Sequence, residues 1–78
     1  MNNNWIEENN CLTKTYNFVD FISAIAWMAK VAPKIDALGH HPEWTNVYNR
    51  ISVKLTTHDA NSTVTAKDWE LSKLLDSV

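Results

Sequence analysis

The stretch that decides the fold is Trp44 to Thr57, WTNVYNRISVKLTT. Ile51, Val53 and Leu55 alternate with Ser52, Lys54 and Thr56, a period of two that specifies a strand with one buried and one solvated face. Trp44 to Tyr48 reads as its antiparallel partner, with the turn near Asn49. Upstream, Leu12, Tyr16 and Phe18 share one parity and Thr13 and Thr15 the other, while Asn9-Asn10 can supply the left-handed residues of a tight hairpin. Trp5 to Phe18 is therefore expected to form two more short strands. Between the hairpins, Asp20 stands where a helix cap belongs, and Ile22, Ile25, Ala29 and Ala32 follow at helical spacing, which predicts a helix burying that stripe. Pro33 removes a helical hydrogen bond at a cost of about 3 kcal/mol and predicts a kink or a stop. Thr65-Ala-Lys-Asp68 has the form of a capping box with Asp in place of Glu, and Trp69, Leu71, Leu74 and Leu75 continue as a second helix. The expected architecture is α+β in the order ββαββα, a four-stranded antiparallel sheet with both helices packed on one face.

Length and composition narrow the function. Seventy-eight residues make one small domain, expected to bury only roughly 63% of its surface on folding, so self-association into a homodimer or homotetramer is expected. One Gly, two Pro and no low-complexity stretch after Asn2 to Asn4 leave no linker. Residues 1–4 are expected to be disordered. The single Cys11 cannot form an intrachain disulfide, which suits a reducing, cytoplasmic setting and a packing role for that thiol. The longest apolar-like stretch, Phe21 to Met28 with Ser23 inside, is too short for a membrane span, and the first ten residues carry Glu7 and Glu8 but no basic residue, unlike a secretory signal. Seven basic against nine acidic residues, without clusters, argue against direct nucleic-acid binding.

The residues with chemical potential are His40-His41-Pro42 after the first helix and His58 beyond the strand, with Asp36, Asp59 and Asp68 available to orient imidazoles. Each histidine alone reads more simply as a hydrogen-bonded loop residue. A zinc site is a second reading, disfavoured because adjacent histidines project apart whereas helical ligand pairs are spaced by three or four. Trp5, Trp27, Trp44 and Trp69 are expected mostly in the core or at interfaces, with Trp44 the one placed close in sequence to the histidines. Three imidazoles with carboxylates, and no nucleophile, glycine loop or basic clamp, suit proton transfer near neutral pH. Elimination of water fits that inventory.

Taken together, Asp36, three residues, His40-His41-Pro42, five residues, Tyr48, nine residues, His58, nine residues and Asp68 form a pattern that resembles the pterin-4a-carbinolamine dehydratase family. GHHPEWTNVYNRISVKLTTHDA and the upstream Asn17-Phe18-Val19-Asp20-Phe21 carry the likeness over nearly the whole chain. The resemblance implies a lyase that dehydrates 4a-hydroxytetrahydropterin to quinonoid dihydropterin in tetrahydrobiopterin recycling. It implies His40 and His58 as general acids, and His41 with Asp36 as the pair that positions substrate and accepts the ring-nitrogen proton. Asp68 would support the polar network and Trp44 an aromatic wall. The pterin is the substrate, and no metal or organic cofactor is implied. The alternative is a non-enzymatic dimerisation module, because animal relatives also act as dimerisation cofactors for a homeodomain transcription factor. The sequence departs from the commoner family pattern at Asp36, more often Glu, and at Asn61-Ser62, where glycines are common. Its N-terminus is also short, and an additional helix found in some relatives is expected to be missing.

Overall fold

The computed structural model describes residues 5–58 and 61–78. The expected disorder of residues 1–4 lies outside that range, as does Asp59. Strands β1 (Ile6–Glu8) and β2 (Cys11–Asn17) precede helix α1 (Phe21–Leu38), then β3 (Glu43–Val47), β4 (Arg50–Leu55) and helix α2 (Ala66–Asp76). The strands form one antiparallel sheet in the order β1-β2-β4-β3. The ββαββα arrangement expected from the sequence is the one found.

Turn chemistry fixes the hairpins. Asn9 and Asn10 adopt φ 52° and 64°, the left-handed conformations that a two-residue hairpin needs and that Asn tolerates. In the β3–β4 turn the Asn46 amide donates to the carbonyls of Tyr48 and Arg50, both at 3.1 Å. Asn49 donates to the Phe18 carbonyl at 2.9 Å, and the Phe18 amide returns a bond to the Asn49 carbonyl at 2.8 Å. These two bonds tie the entry of α1 to the far end of the sheet.

Register then sets the inner face. Leu12 pairs with Leu55, Tyr16 with Ile51 and Trp44 with Val53, so the inward row of each strand meets that of its neighbour. Leu12, Ile51, Val53 and Leu55 are buried against Ala24, Trp27, Val31 and Ile35 of α1 and Leu71 and Leu75 of α2. Tyr16, Phe18, Trp27 and Trp44 interlock, with ring centroids 4.6 Å apart for Tyr16–Trp27 and 5.9 Å for Trp27–Trp44. At the C-terminal end of α2, Asp76 accepts hydrogen bonds from Trp5 Nε1 at 3.0 Å, Lys14 Nζ at 2.7 Å and the Tyr16 hydroxyl. Burial, and then the Asp76 carboxylate, push the Tyr16 phenol above its ordinary range, so it stays protonated and donates.

Two expectations for α1 are corrected. Its buried stripe is Ala24, Trp27, Val31 and Ile35, whereas Ile22, Ile25, Ala29 and Ala32 face outward. Both rows have helical spacing, but they are offset by two residues, about 200° around the axis, and the aromatic cluster selects the row containing Trp27. Nor does the helix stop at Pro33, for it runs on to Leu38. Pro33 removes only the bond to the Ala29 carbonyl, both residues are exposed so water can satisfy that oxygen, and Val31 and Ile35 are buried on either side of the proline.

Candidate active site

The site is assembled at the C-terminal end of α1, the end of β4 and the N-terminus of α2. Gly39 closes α1 with φ 78°, its amide donating to the carbonyls of Ile35 at 3.0 Å and Asp36 at 3.2 Å. This left-handed exit turns the chain from the helix into His40, His41 and Pro42. No atom lies within 4 Å of a Cβ built at Gly39, so strain there comes from the backbone alone. Gly39→Ala is expected to lower stability by about 1 kcal/mol, measured by urea denaturation, with Gly39→Asn losing less.

Asp68, in the first turn of α2, is fully buried. Its Oδ1 accepts from His40 Nε2 at 2.6 Å, and its Oδ2 accepts from the Thr57 hydroxyl at 2.7 Å and the Thr65 amide at 2.9 Å. The expected capping box is thus present, and the same carboxylate that completes it also holds a histidine. Burial alone would raise the Asp68 pKa, but the hydrogen bonds from His40, Thr57 and Thr65, with the attraction of the His40 ring, hold it below the ordinary carboxylate value. Because the carboxylate can only accept, His40 must donate through Nε2, which leaves Nδ1 as the ring atom for exchange with a ligand.

His41 donates through Nε2 to Asp36 Oδ1 at 3.0 Å. Both side chains are largely exposed, so the pair orients the ring and contributes little stability. His58 follows Thr57, which forms a β-bridge with Thr63, and its Nδ1 lies 3.5 Å from the Ser62 hydroxyl. Asn61 and Ser62 take φ 61° and 56°, so the loop keeps its left-handed turn without glycine.

A concavity of about 270 Å³ is lined by Gly39, His40, His41, Thr56, Thr57, His58 and Lys67. Three histidines from two separate parts of the chain, the His40-His41 pair and His58, therefore share one surface. Asp68 lies behind His40 rather than on that surface. Trp44 and Asp36 line a neighbouring groove of about 520 Å³ with Ala29, Ala32, Pro33, Ile35, His41 and Pro42, so His41 stands between the two. Trp44 itself packs on Trp27 and is not among the residues lining the histidine concavity. Among the described residues no group of three or more His, Cys, Asp or Glu side chains is arranged to hold a metal ion.

Sequence reasoning passed over Thr57 and Lys67. Thr57 continues the inward parity of Ile51, Val53 and Leu55 and is buried, so a hydroxyl on a row of apolar residues was the available signal. Lys67 carried none beyond its place beside Asp68.

Comparison with known proteins bears on this arrangement. The profile of the family described as pterin 4 alpha carbinolamine dehydratase matches residues 1–78. The chain belongs to this family. It is 47% identical over 74 residues to a protein of Opitutus terrae and to one of Solibacter usitatus, both named provisionally as pterin-4-alpha-carbinolamine dehydratases. Each alignment covers 95% of this chain, and 76% and 77% of the respective relatives. A crystal structure described as a transcriptional coactivator/pterin dehydratase from Brucella melitensis superposes with a TM-score of 0.88 at 36% identity, covering 95% of this chain and 80% of that one. Membership of the dehydratase family thus accompanies the histidine concavity, and no helix of the described residues is long and apolar enough to cross a membrane.

Proposed function

We propose that the chain is a pterin-4a-carbinolamine dehydratase, removing water from a 4a-hydroxytetrahydropterin to give quinonoid dihydropterin. The observation that carries this reading is the convergence of His40, His41 and His58 on one concavity, with His40 held by the buried Asp68. A protonated imidazole, His40 or His58, donates to the 4a hydroxyl, the carbon–oxygen bond breaks and water leaves. The electron pair of the adjacent ring nitrogen closes the new double bond, and the proton of that nitrogen passes to His41, which Asp36 orients. The arrangement needs positioned proton donors and acceptors near neutral pH, the task imidazole suits. In the assay, purified protein added to enzymatically generated carbinolamine shortens its lifetime in proportion to protein concentration. An unchanged lifetime refutes the assignment.

The dehydratase reading carries two further proposals. A cytoplasmic location suits a chain with a single thiol and a soluble heterocyclic substrate. Self-association into a homodimer or homotetramer would cover the outward row of α1, where Ile22 is 73% and Ile25 40% exposed beside exposed Ala29 and Ala32. The spacing of this row matches the seam of paired helices. The double change Ile22→Glu with Ile25→Glu is expected to reduce the sedimenting mass, and an unaltered mass places the contact elsewhere.

A further inference from the structure

We propose that Thr57 is a positioning residue for the dehydration, its buried hydroxyl fixing the Asp68 carboxylate and, through it, the tautomer and aim of His40. The inference rests on the dehydratase reading above. Thr57 is 5% exposed and sits on the inward row, where valine would fill the same volume. Its hydroxyl has one hydrogen, given to Asp68 Oδ2 at 2.7 Å. The 2.7 Å contact between Thr57 Oγ1 and Thr65 Oγ1 must therefore run the other way, with Thr65 donating. Thr65 Oγ1 in turn accepts the Lys67 amide at 3.3 Å.

A single directed chain results, from the Lys67 amide through Thr65 and Thr57 to Asp68, and it meets His40 Nε2–H arriving at the other carboxylate oxygen. Every donor in it is committed, so the carboxylate cannot rotate without breaking bonds on both sides. Thr57 also precedes His58, and its amide is anchored to the Thr63 carbonyl at 3.0 Å. One residue thus holds both candidate acids, one through Asp68 and the other through the backbone.

The test compares Thr57→Val with Thr57→Ser in the intact chain. Thr57→Val is expected to lower kcat about tenfold to a hundredfold, the range known for outer partners of ligating side chains at metal sites, with KM within about twofold because valine keeps the volume of a side chain that lines the concavity while almost wholly buried. Thr57→Ser is expected to recover most of the turnover despite its missing methyl group. Nitrogen NMR of His40 is expected to show the Nε2–H tautomer in the native chain and a mixture in Thr57→Val. Native kcat and tautomer in Thr57→Val overturn the proposal. Should Thr57→Val fail to fold, Thr57→Ala and Thr57→Ser form a second pair matched in their missing methyl, and equal kcat in those two overturns it as well. If the native chain leaves the carbinolamine lifetime unchanged, the reading beneath the proposal fails; if His40→Ala turns over normally, His40 and with it the Thr57 role leave the chemistry; and a slow His40→Ala beside a native Thr57→Val removes the Thr57 role alone.

Discussion

A His40→Ala protein is expected to turn over carbinolamine about a hundredfold to ten-thousandfold more slowly than the native chain, the usual loss when a positioned proton donor is removed. The effect is expected on kcat, because in the proposed mechanism the ring acts on the departing hydroxyl, while His41, His58 and Thr56 still line the concavity. His58→Ala is expected to act in the same direction with a smaller loss, since among the described residues that ring is held by the Ser62 hydroxyl at 3.5 Å, a longer contact than the 2.6 Å between His40 and Asp68. The measurement is the decay of carbinolamine generated in situ, followed by absorbance with and without each variant. Equal rates for His40→Ala and the native protein would remove His40 from the chemistry.

The second large effect is on stability. Asp68→Ala strands three donors at once, His40 Nε2, the Thr57 hydroxyl and the Thr65 amide, and is expected to destabilise the fold by about 3–5 kcal/mol, as breaking a buried charged network does. Small domains have about 5–15 kcal/mol in total, so this variant approaches the unfolding threshold. Asp68→Asn keeps the shape and is expected to lose less, but its one carbonyl oxygen cannot serve three donors. The pH dependence follows from the depressed Asp68 pKa. A carboxyl whose folded pKa lies below its unfolded value, near 4, contributes stability that is fully present above that value and lost as pH falls through the folded one. Urea midpoints of the native chain are therefore expected to drop below about pH 4, and those of Asp68→Asn to drop less over the same interval. Parallel curves for the two proteins would show that the folded chain draws no stability from ionised Asp68.

The features legible in the sequence were those decided by neighbouring residues. Asn9-Asn10, Asp20 and the Thr65/Asp68 box each act within a few residues, and each adopts its expected geometry: two left-handed residues, a side-chain bond to the Ser23 amide at 2.8 Å and a completed cap. The alternation of Ile51, Val53 and Leu55 settled the buried face of β4 for the same reason. The buried side of α1 was not legible, because periodicity reveals that a stripe exists but not which of two apolar stripes meets the sheet. That choice belongs to the aromatic cluster, which is assembled from β2, α1 and β3. At the site, the spacing of the histidines disclosed the family, and the Thr57 link did not emerge because a threonine at a strand end carries no sign of the carboxylate it will face.

One side chain both starts the last helix and steers the first histidine, so the two events cannot be uncoupled. Lifting α2 from the sheet by gentle warming, trimming or a protease nick withdraws the anion behind His40. With His40 acting as proposed, turnover is expected to fade no later than the β-sheet signal in circular dichroism when this helix detaches.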